Sequence, residues 1–439
     1  MPAWSDTCTM KKNFSVLMLL LILAPYCGAE SFAPKAYIDR VLGASLTMQK
    51  AEQALKQAEN SHKNSILDAA LPSFTLGMSE SFYNQGRTAP RVAKGDVASS
   101  LSAALNLYDS AAGPVRAIKL SKLEYEYARL THLIAGQNEA VKALRRFYAL
   151  YSAQQKIITA KMNLVSRERQ YKDTDEQYRS GTRSRIEVTQ SEGDKLQSEL
   201  SLAKAESAER KALMSFNELI NAEPDAAVEV QVSTLAKEIK LPLPKEDVAR
   251  ALENNLSLRR QKLALDKTRL LVRNASWSAC PRLKVDASWA KSKLALFGTP
   301  GGSWNDNQAY GVGATLSFPF GFAGAQNYRD SETQKAVLKS AELEMQESIR
   351  TLKTSVLSAQ KDIELQVRLR RLLEFQVKAQ KDATDNLISE YSLGGTSFLQ
   401  LDSSQTKLLD ASNSRIAAVN DLDLALADYR VLLGENTWE

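Results

Sequence analysis

The chain carries little that could do covalent chemistry. Its two histidines, His62 and His132, each stand in a helix-like stretch without a nearby set of ligands, whereas a metal site needs several donors converging on one point. Carboxylate pairs such as Glu124 and Glu126 read as solvated helix surface rather than an acid–base couple. No phosphate-cradling glycine loop and no dinucleotide fingerprint is present, so no metal, cofactor or catalytic residue is expected. Of the three cysteines, Cys8 and Cys27 fall in the N-terminal segment, which leaves Cys280 without a pairing partner. Stability must then come from packing or assembly, not from disulfides.

What the sequence offers instead is a reversal written twice. Tyr178-Arg-Ser-Gly181-Thr182-Arg183-Ser184-Arg-Ile186-Glu187-Val188 lines up with Tyr391-Ser-Leu-Gly394-Gly395-Thr396-Ser397-Phe-Leu399-Gln400-Leu401. Gly181 and Gly394 lack a Cβ and can take positive φ, so a long helix can turn back tightly there. Tyr178 and Tyr391 stand one turn earlier, placed to pack against the returning helix.

The elements that must position these turns repeat as well, at a period of about 210 residues. Phe216 and Leu219 recur as Tyr429 and Leu432, while Leu46, Met48 and Ala54 recur as Leu256, Leu258 and Ala264. Each half reads helix, proline, two strands, very long helix, glycine turn, long helix. The first long helix is expected over about 113–179 and the second over about 325–392, each about 100 Å at 1.5 Å per residue. Met345, Ile349, Leu352, Val356, Ala359 and Ile363 step by fours and threes, a coiled-coil period. Return helices follow at about 185–221 and 397–434, the latter with Ile416, Val419, Leu422, Leu426, Tyr429 and Leu433 on one stripe.

Strands are expected at about 72–83, 97–108, 282–294 and 309–319, just after Pro72 and Pro281 in the first of each pair. Phe74, Leu76, Met78 and Phe82 alternate with small or polar residues. So do Val97, Leu101, Ala103, Leu105 and Leu107, then Leu283, Val285, Ala287 and Trp289, then Tyr310, Val312, Ala314, Leu316 and Phe318. Each strand has the length that crosses an outer membrane at a tilt, about 10 residues. The opposite face is small or polar, as a water-filled bore requires. Four strands cannot close a barrel, and lipid does not tolerate open edges, so a spanning sheet demands several chains. The alternative is a soluble four-stranded sheet packed on helices.

Lys11-Lys12, an apolar run from Phe14 to Pro25 and the small residues Gly28-Ala29 read as a secretory signal, too short to span a bilayer, which takes about 20 residues. Cleavage is expected after Ala29, with lipidation at Cys27 as the alternative and Met10 as an alternative start. Domain boundaries follow: signal peptide 1–29, first repeat 30–221, proline-bearing joint 222–245, second repeat 246–439. Hydrophobic residues make up 44% of the chain and charged residues 25%, which excludes a disordered composition. The net charge of +6 is spread along the chain, so no nucleic-acid partner is expected.

In this order, twice, behind a signal peptide, these elements resemble the TolC-type outer membrane efflux protein family across the mature chain. The carrying residues are Ala251-Leu-Glu-Asn-Asn-Leu-Ser-Leu258, the Pro72 and Pro281 strand entries and the two Tyr-x-x-Gly-x-x-Ser turns. The resemblance implies a mainly α protein with membrane β. It implies a homotrimer whose twelve strands form one barrel, continued by a helical barrel through the periplasm. It further implies docking of a periplasmic adaptor (membrane fusion) protein and an inner-membrane transporter of the RND or ABC type. The turn residues Tyr178, Gly181, Thr182, Arg183, Ser184, Tyr391, Gly394, Gly395, Thr396 and Ser397 would lie at the periplasmic tip where the adaptor binds. Glu187, Gln190, Gln400, Asp402 and Ser403 are the matching positions for a pore constriction. Because Gln400 and Ser403 stand where some members place carboxylates, an acidic ring is not expected. The implied role is a passive, non-enzymatic export duct for small molecules. Protein secretion and a periplasmic coiled-coil scaffold are the alternatives.

Overall fold

The computed structural model describes residues 30–83, 94–109, 113–231, 243–278, 281–294, 307–318, 320–393 and 395–435. The signal segment, Cys280, Gly394 and most of the two strand-connecting loops lie outside the described residues. The chain runs β1 (Glu30–Phe32), α1 (Pro34–Ala44), α2 (Leu46–Ala70), β2 (Ser73–Tyr83), β3 (Lys94–Asp109), α3 (Pro114–Arg179) and α4 (Arg185–Leu219). It continues as β4 (Val228–Val230), α5 (Pro244–Asn254), α6 (Leu256–Ser278), β5 (Arg282–Leu294), β6 (Asn307–Ser317), α7 (Gly321–Ser392) and α8 (Phe398–Leu433).

Helices α3 and α7, of 66 and 72 residues, are long because nothing stops them. Pro114 sits at the first turn of α3, where its missing N–H costs nothing. The stripe expected on α7 is its packing face: Leu352, Val356 and Ile363 are buried, with Met345, Ile349 and Ala359 packed beside them against Ala251, Leu258, Leu422, Tyr429 and Leu433.

Two features depart from the sequence reading. Each opening helix is broken, α1 from α2 at Ser45 and α5 from α6 at Asn255. Both breaks are capped: the Ser45 hydroxyl accepts from the Thr47 amide at 3.2 Å, and Asn255 Oδ1 accepts from the Leu258 amide at 2.9 Å. A short polar side chain that competes for backbone amides ends one helix and starts the next. The joint at 222–245, expected to be non-helical, carries β4, which pairs in parallel with β1, and its last two residues open α5.

The main core lies where these short elements wrap the long helices. Phe32, Tyr37, Ile38 and Val41 pack on Phe147, Tyr148, Leu150, Phe216, Val228 and Val230. The rings of Tyr37 and Phe216 stack at 3.9 Å, and the Tyr37 hydroxyl donates to the Phe216 carbonyl at 2.9 Å.

Strands β2, β3, β5 and β6 form one antiparallel sheet in that order. The register keeps the apolar residues together: Phe74 faces Ala103, Ala103 faces Trp289, and Trp289 faces Tyr310. A bulge shifts the β3–β5 register between Asn106 and Tyr108. Leu107, expected on the apolar face, is therefore the extra residue, and Tyr108 stands opposite Val285.

Candidate functional site

Two places concentrate what the fold leaves for function: the paired reversals at one end of the helices, and the sheet at the other. At the first reversal Gly181 has φ of +80°. The Thr182 amide donates to the Gln177 carbonyl and the Gly181 amide to the Tyr178 carbonyl, both at 2.9 Å. This is a Schellman closure, which consumes the carbonyls a helix end would otherwise strand. At the second, the Gly395 amide donates to the Glu390 carbonyl at 2.8 Å.

Each return helix then opens on a capping box. Glu187 accepts from the Ser184 amide at 3.1 Å while its own amide donates to the Ser184 hydroxyl at 3.4 Å. Gln400 and Ser397 do the same at 3.4 and 3.3 Å, and Gln400 also accepts from Thr396 Oγ1 at 2.7 Å. Reciprocal caps of this kind fix both N-termini. Glu187 and Gln400, two of the candidate constriction residues, are thus engaged at the caps; Gln190 and Ser403 are exposed.

The two reversals are tied to each other through Tyr391 and Arg183. Tyr391 is buried against Phe398 and Leu401, and its hydroxyl lies 3.0 Å from Thr174 Oγ1. Because the Thr174 proton is already donated to the Gln170 carbonyl at 2.8 Å, the tyrosine is the donor. The Arg183 guanidinium sits 4.5 Å over the Tyr391 ring, a cation–π contact, and reaches the Thr396 carbonyl at 3.3 Å and Glu187 at 3.4 Å. Tyr178, expected to pack as its counterpart does, is 41% exposed. The motif is repeated but only the second tyrosine is enclosed, because Thr174 and Arg183 of the first hairpin close over it.

Higher along the same seam, Arg167 joins the hairpins. Its side chain is 7% exposed and lies 2.7 Å from Asp402 and 3.5 Å from Asp194. Asp402, a candidate constriction residue, is therefore neutralised by an arginine of the other hairpin. Burial, with help from nearby Asp402 and opposed by Arg167, holds the Asp194 carboxyl above its ordinary value. Sequence reading missed Arg167 and Thr174. Arg167 stands among Ser166, Glu168, Arg169 and Gln170, so no pattern separates it from solvated surface.

At the other end, the apolar side of the sheet leaves several large described residues exposed. Phe74, Val312 and Tyr310 are 71%, 74% and 82% exposed, and the whole of Ala309–Phe318 is exposed. The polar side carries Ser73, Thr75, Ser102, Gly313 and Thr315, with Lys284 and Asp286 3.8 Å apart. Among the described residues, strands β2 and β6 have no pairing partner on their outer edges. His62 packs on Tyr125 and lies 2.9 Å from the Ser121 hydroxyl. Among the described residues no group of His, Cys, Asp and Glu could hold a metal, and no helix is long and apolar enough to cross a membrane.

Three solved outer-membrane proteins share this fold over most of their length. The outer-membrane channel OprN is 17% identical, with a TM-score of 0.78 and coverage of 92% of this chain and 91% of that one. The Campylobacter jejuni CmeC outer membrane channel is 16% identical, with a TM-score of 0.76 and coverage of 91% and 85%. The outer membrane protein VceC from Vibrio cholerae is 15% identical, with a TM-score of 0.75 and coverage of 92% and 97%. No curated protein sequence matches the chain. Residues 248–435 match the outer membrane efflux protein family, and the likeness to OprN extends the fold over 92% of the chain.

Proposed function

We propose that three copies of this chain close one outer-membrane barrel and continue it as a helical duct through the periplasm. One observation carries the reading. Among the described residues, the sheet exposes large apolar side chains such as Phe74, Tyr310 and Val312, and its two edge strands have no outer pairing partner. In water such a sheet would aggregate; in lipid its open edges would each strand a row of amides and carbonyls. Pairing β2 of one copy with β6 of the next removes both liabilities, and three copies give twelve strands. Residues 1–29 serve export, 30–221 and 246–439 are the two repeats, and 222–245 joins them.

On this reading the reversals lie about 100 Å from the sheet, where a periplasmic adaptor docks on Gly181–Ser184 and Gly394–Ser397. An inner-membrane transporter of the RND or ABC class supplies the energy. The cargo is small molecules such as drugs, metals or other toxic compounds. The Tyr391–Thr174 and Arg183–Thr396 contacts hold the two hairpins together at rest and part when the tip opens.

Membrane fractionation and unheated gel electrophoresis test the assembly: a heat-modifiable trimer in the outer membrane is expected, and a soluble monomer without detergent excludes it. For the tip, Gly181→Val strains a residue at φ +80° by about 1–2 kcal/mol. Trimer levels should stay near normal while export falls; unimpaired export would make the turn a cap and nothing more.

A further inference from the structure

Where the helices meet the sheet, the wall carries a basic cleft that the export reading leaves unused. Helix α3 leaves the sheet at Pro114 as α6 arrives at Ser278, and the two run antiparallel. Two contacts fix their levels: Arg116 lies 5.2 Å over the Trp277 ring, and Lys267 reaches Glu124 at 2.9 Å. Between these points Lys119 and Lys122 face Arg269 and Arg273 across an open cleft of about 460 Å³ with an apolar floor of Leu123 and Leu270. Carboxylates enter at the end away from the sheet: Asp266 pairs with Arg269 at 3.1 Å, and Glu126 lines the same end. Lys119, Lys122 and Arg273 are exposed and have no ion-pair partner among the described residues. Three like charges facing one groove repel one another, which selects for an anion between them.

The position says which anion. Trp277, Phe318, Phe320 and Phe322 are all exposed where sheet gives way to helix, the placement of aromatic side chains at a membrane boundary. Lys119 and Lys122 lie five and eight residues beyond Pro114, about 8–12 Å, from where their long side chains reach back to a headgroup layer about 5–8 Å deep. The cleft shares Glu126 and Asp266 with a larger groove walled by Leu252 and Glu253 of α5. Helix α5 adds a second layer on that side, and a second layer belongs outside a tunnel rather than in its bore.

We infer that this cleft binds the phosphate of an anionic phospholipid from the periplasmic leaflet, with Lys119, Lys122 and Arg273 on the headgroup and the acyl chains directed toward the sheet. The inference rests on the membrane reading of the sheet. The test uses the full-length protein in detergent with phosphatidylglycerol or phosphatidylcholine, and native mass spectrometry counts the lipid retained. A cleft variant, Lys119→Gln/Lys122→Gln/Arg273→Gln, is set against a control of equal charge on α7, Lys353→Gln/Lys378→Gln/Lys381→Gln. Wild type and control should retain phosphatidylglycerol over phosphatidylcholine, and the cleft variant should lose about tenfold or more of that occupancy. Equal retention by cleft variant and control, or no preference between the lipids, overturns the inference. Displacement by inorganic phosphate would assign the cleft to a free anion and overturn it too. A chain that stays soluble and takes up neither lipid overturns the membrane reading itself.

Discussion

Val312 is the middle residue of β6, 74% exposed on the apolar face and opposite Ala287. If that face meets lipid, an arginine there lies near the bilayer midplane and should cost about 2–4 kcal/mol per chain, a factor of about 30–1,000 in the folding equilibrium. Leu316 is four residues further along, opposite Leu283 and 56% exposed. Those four residues correspond to about 13 Å of strand, or about 10 Å of depth at a tilt of about 40°. Leu316→Arg should accordingly cost only about 0–1 kcal/mol. Gly311 is the strand neighbour of Val312 on the polar face, and a Cβ added there meets nothing within 4 Å; Gly311→Arg should be close to neutral. The assay is urea-titrated folding into lipid vesicles, read by the heat-modifiable band. The predicted order of damage is Val312→Arg, then Leu316→Arg, then Gly311→Arg. Equal damage at Val312 and Gly311 would refute the reasoning and mark the alternation as that of a soluble core. Damage greater at Leu316 than at Val312 would refute the depth assignment.

Three further outcomes are expected. Gly434 has φ of +76° and an added Cβ would lie 2.3 Å from the Asn254 carbonyl oxygen; Gly434→Ala should lower stability by at least about 2 kcal/mol, seen as a shifted urea midpoint. Tyr391→Phe removes one buried hydrogen bond, worth about 0.5–1.5 kcal/mol, so trimers should form normally while resting conductance in planar bilayers rises; unchanged conductance would take this contact out of tip closure. Burial holds the Asp423 carboxyl above its ordinary value against the Tyr148 hydrogen bond and Arg370. A carboxyl raised in the folded state gives stability that is present below the unfolded pKa and lost as pH rises through the folded one. Asp423→Asn should therefore flatten the stability profile as pH rises above the ordinary carboxylate range, and an unchanged profile would contradict this.

The long helices and the strands were legible because their signals are local. Runs of 66 and 72 residues without a proline past the first turn and a period of two along Leu283–Trp289 and Tyr310–Leu316 leave little else for the chain to form. Breaks at Ser45 and Asn255 were harder, since one capping side chain inside an amphipathic run leaves the periodicity nearly intact. The β1–β4 pair joins segments almost two hundred positions apart through three residues each, too short to show a pattern. At the tip, glycine announced the reversal at Gly181, while the capping boxes at Ser184 and Ser397 were found only in the structure. The contacts that bind the hairpins together did not announce themselves, because Arg167, Thr174 and Arg183 are polar residues whose burial depends on a partner helix. The bulge at Leu107 was illegible for a similar reason: β3 alone does not reveal the register that β5 imposes.

The central claim is that β2 of one copy pairs with β6 of the next. Within one chain the two strands are separated by β3 and β5, about 14 Å at about 4.8 Å per strand. The direct measurement places Thr75→Cys on β2 and Thr315→Cys on β6, with Cys8, Cys27 and Cys280 replaced by serine, and applies a crosslinker reaching less than about 10 Å. The account predicts covalent dimers and trimers in the outer-membrane fraction for the double variant, and monomers for each single variant. A double variant that remains monomeric, or that crosslinks only in the soluble fraction, would contradict it.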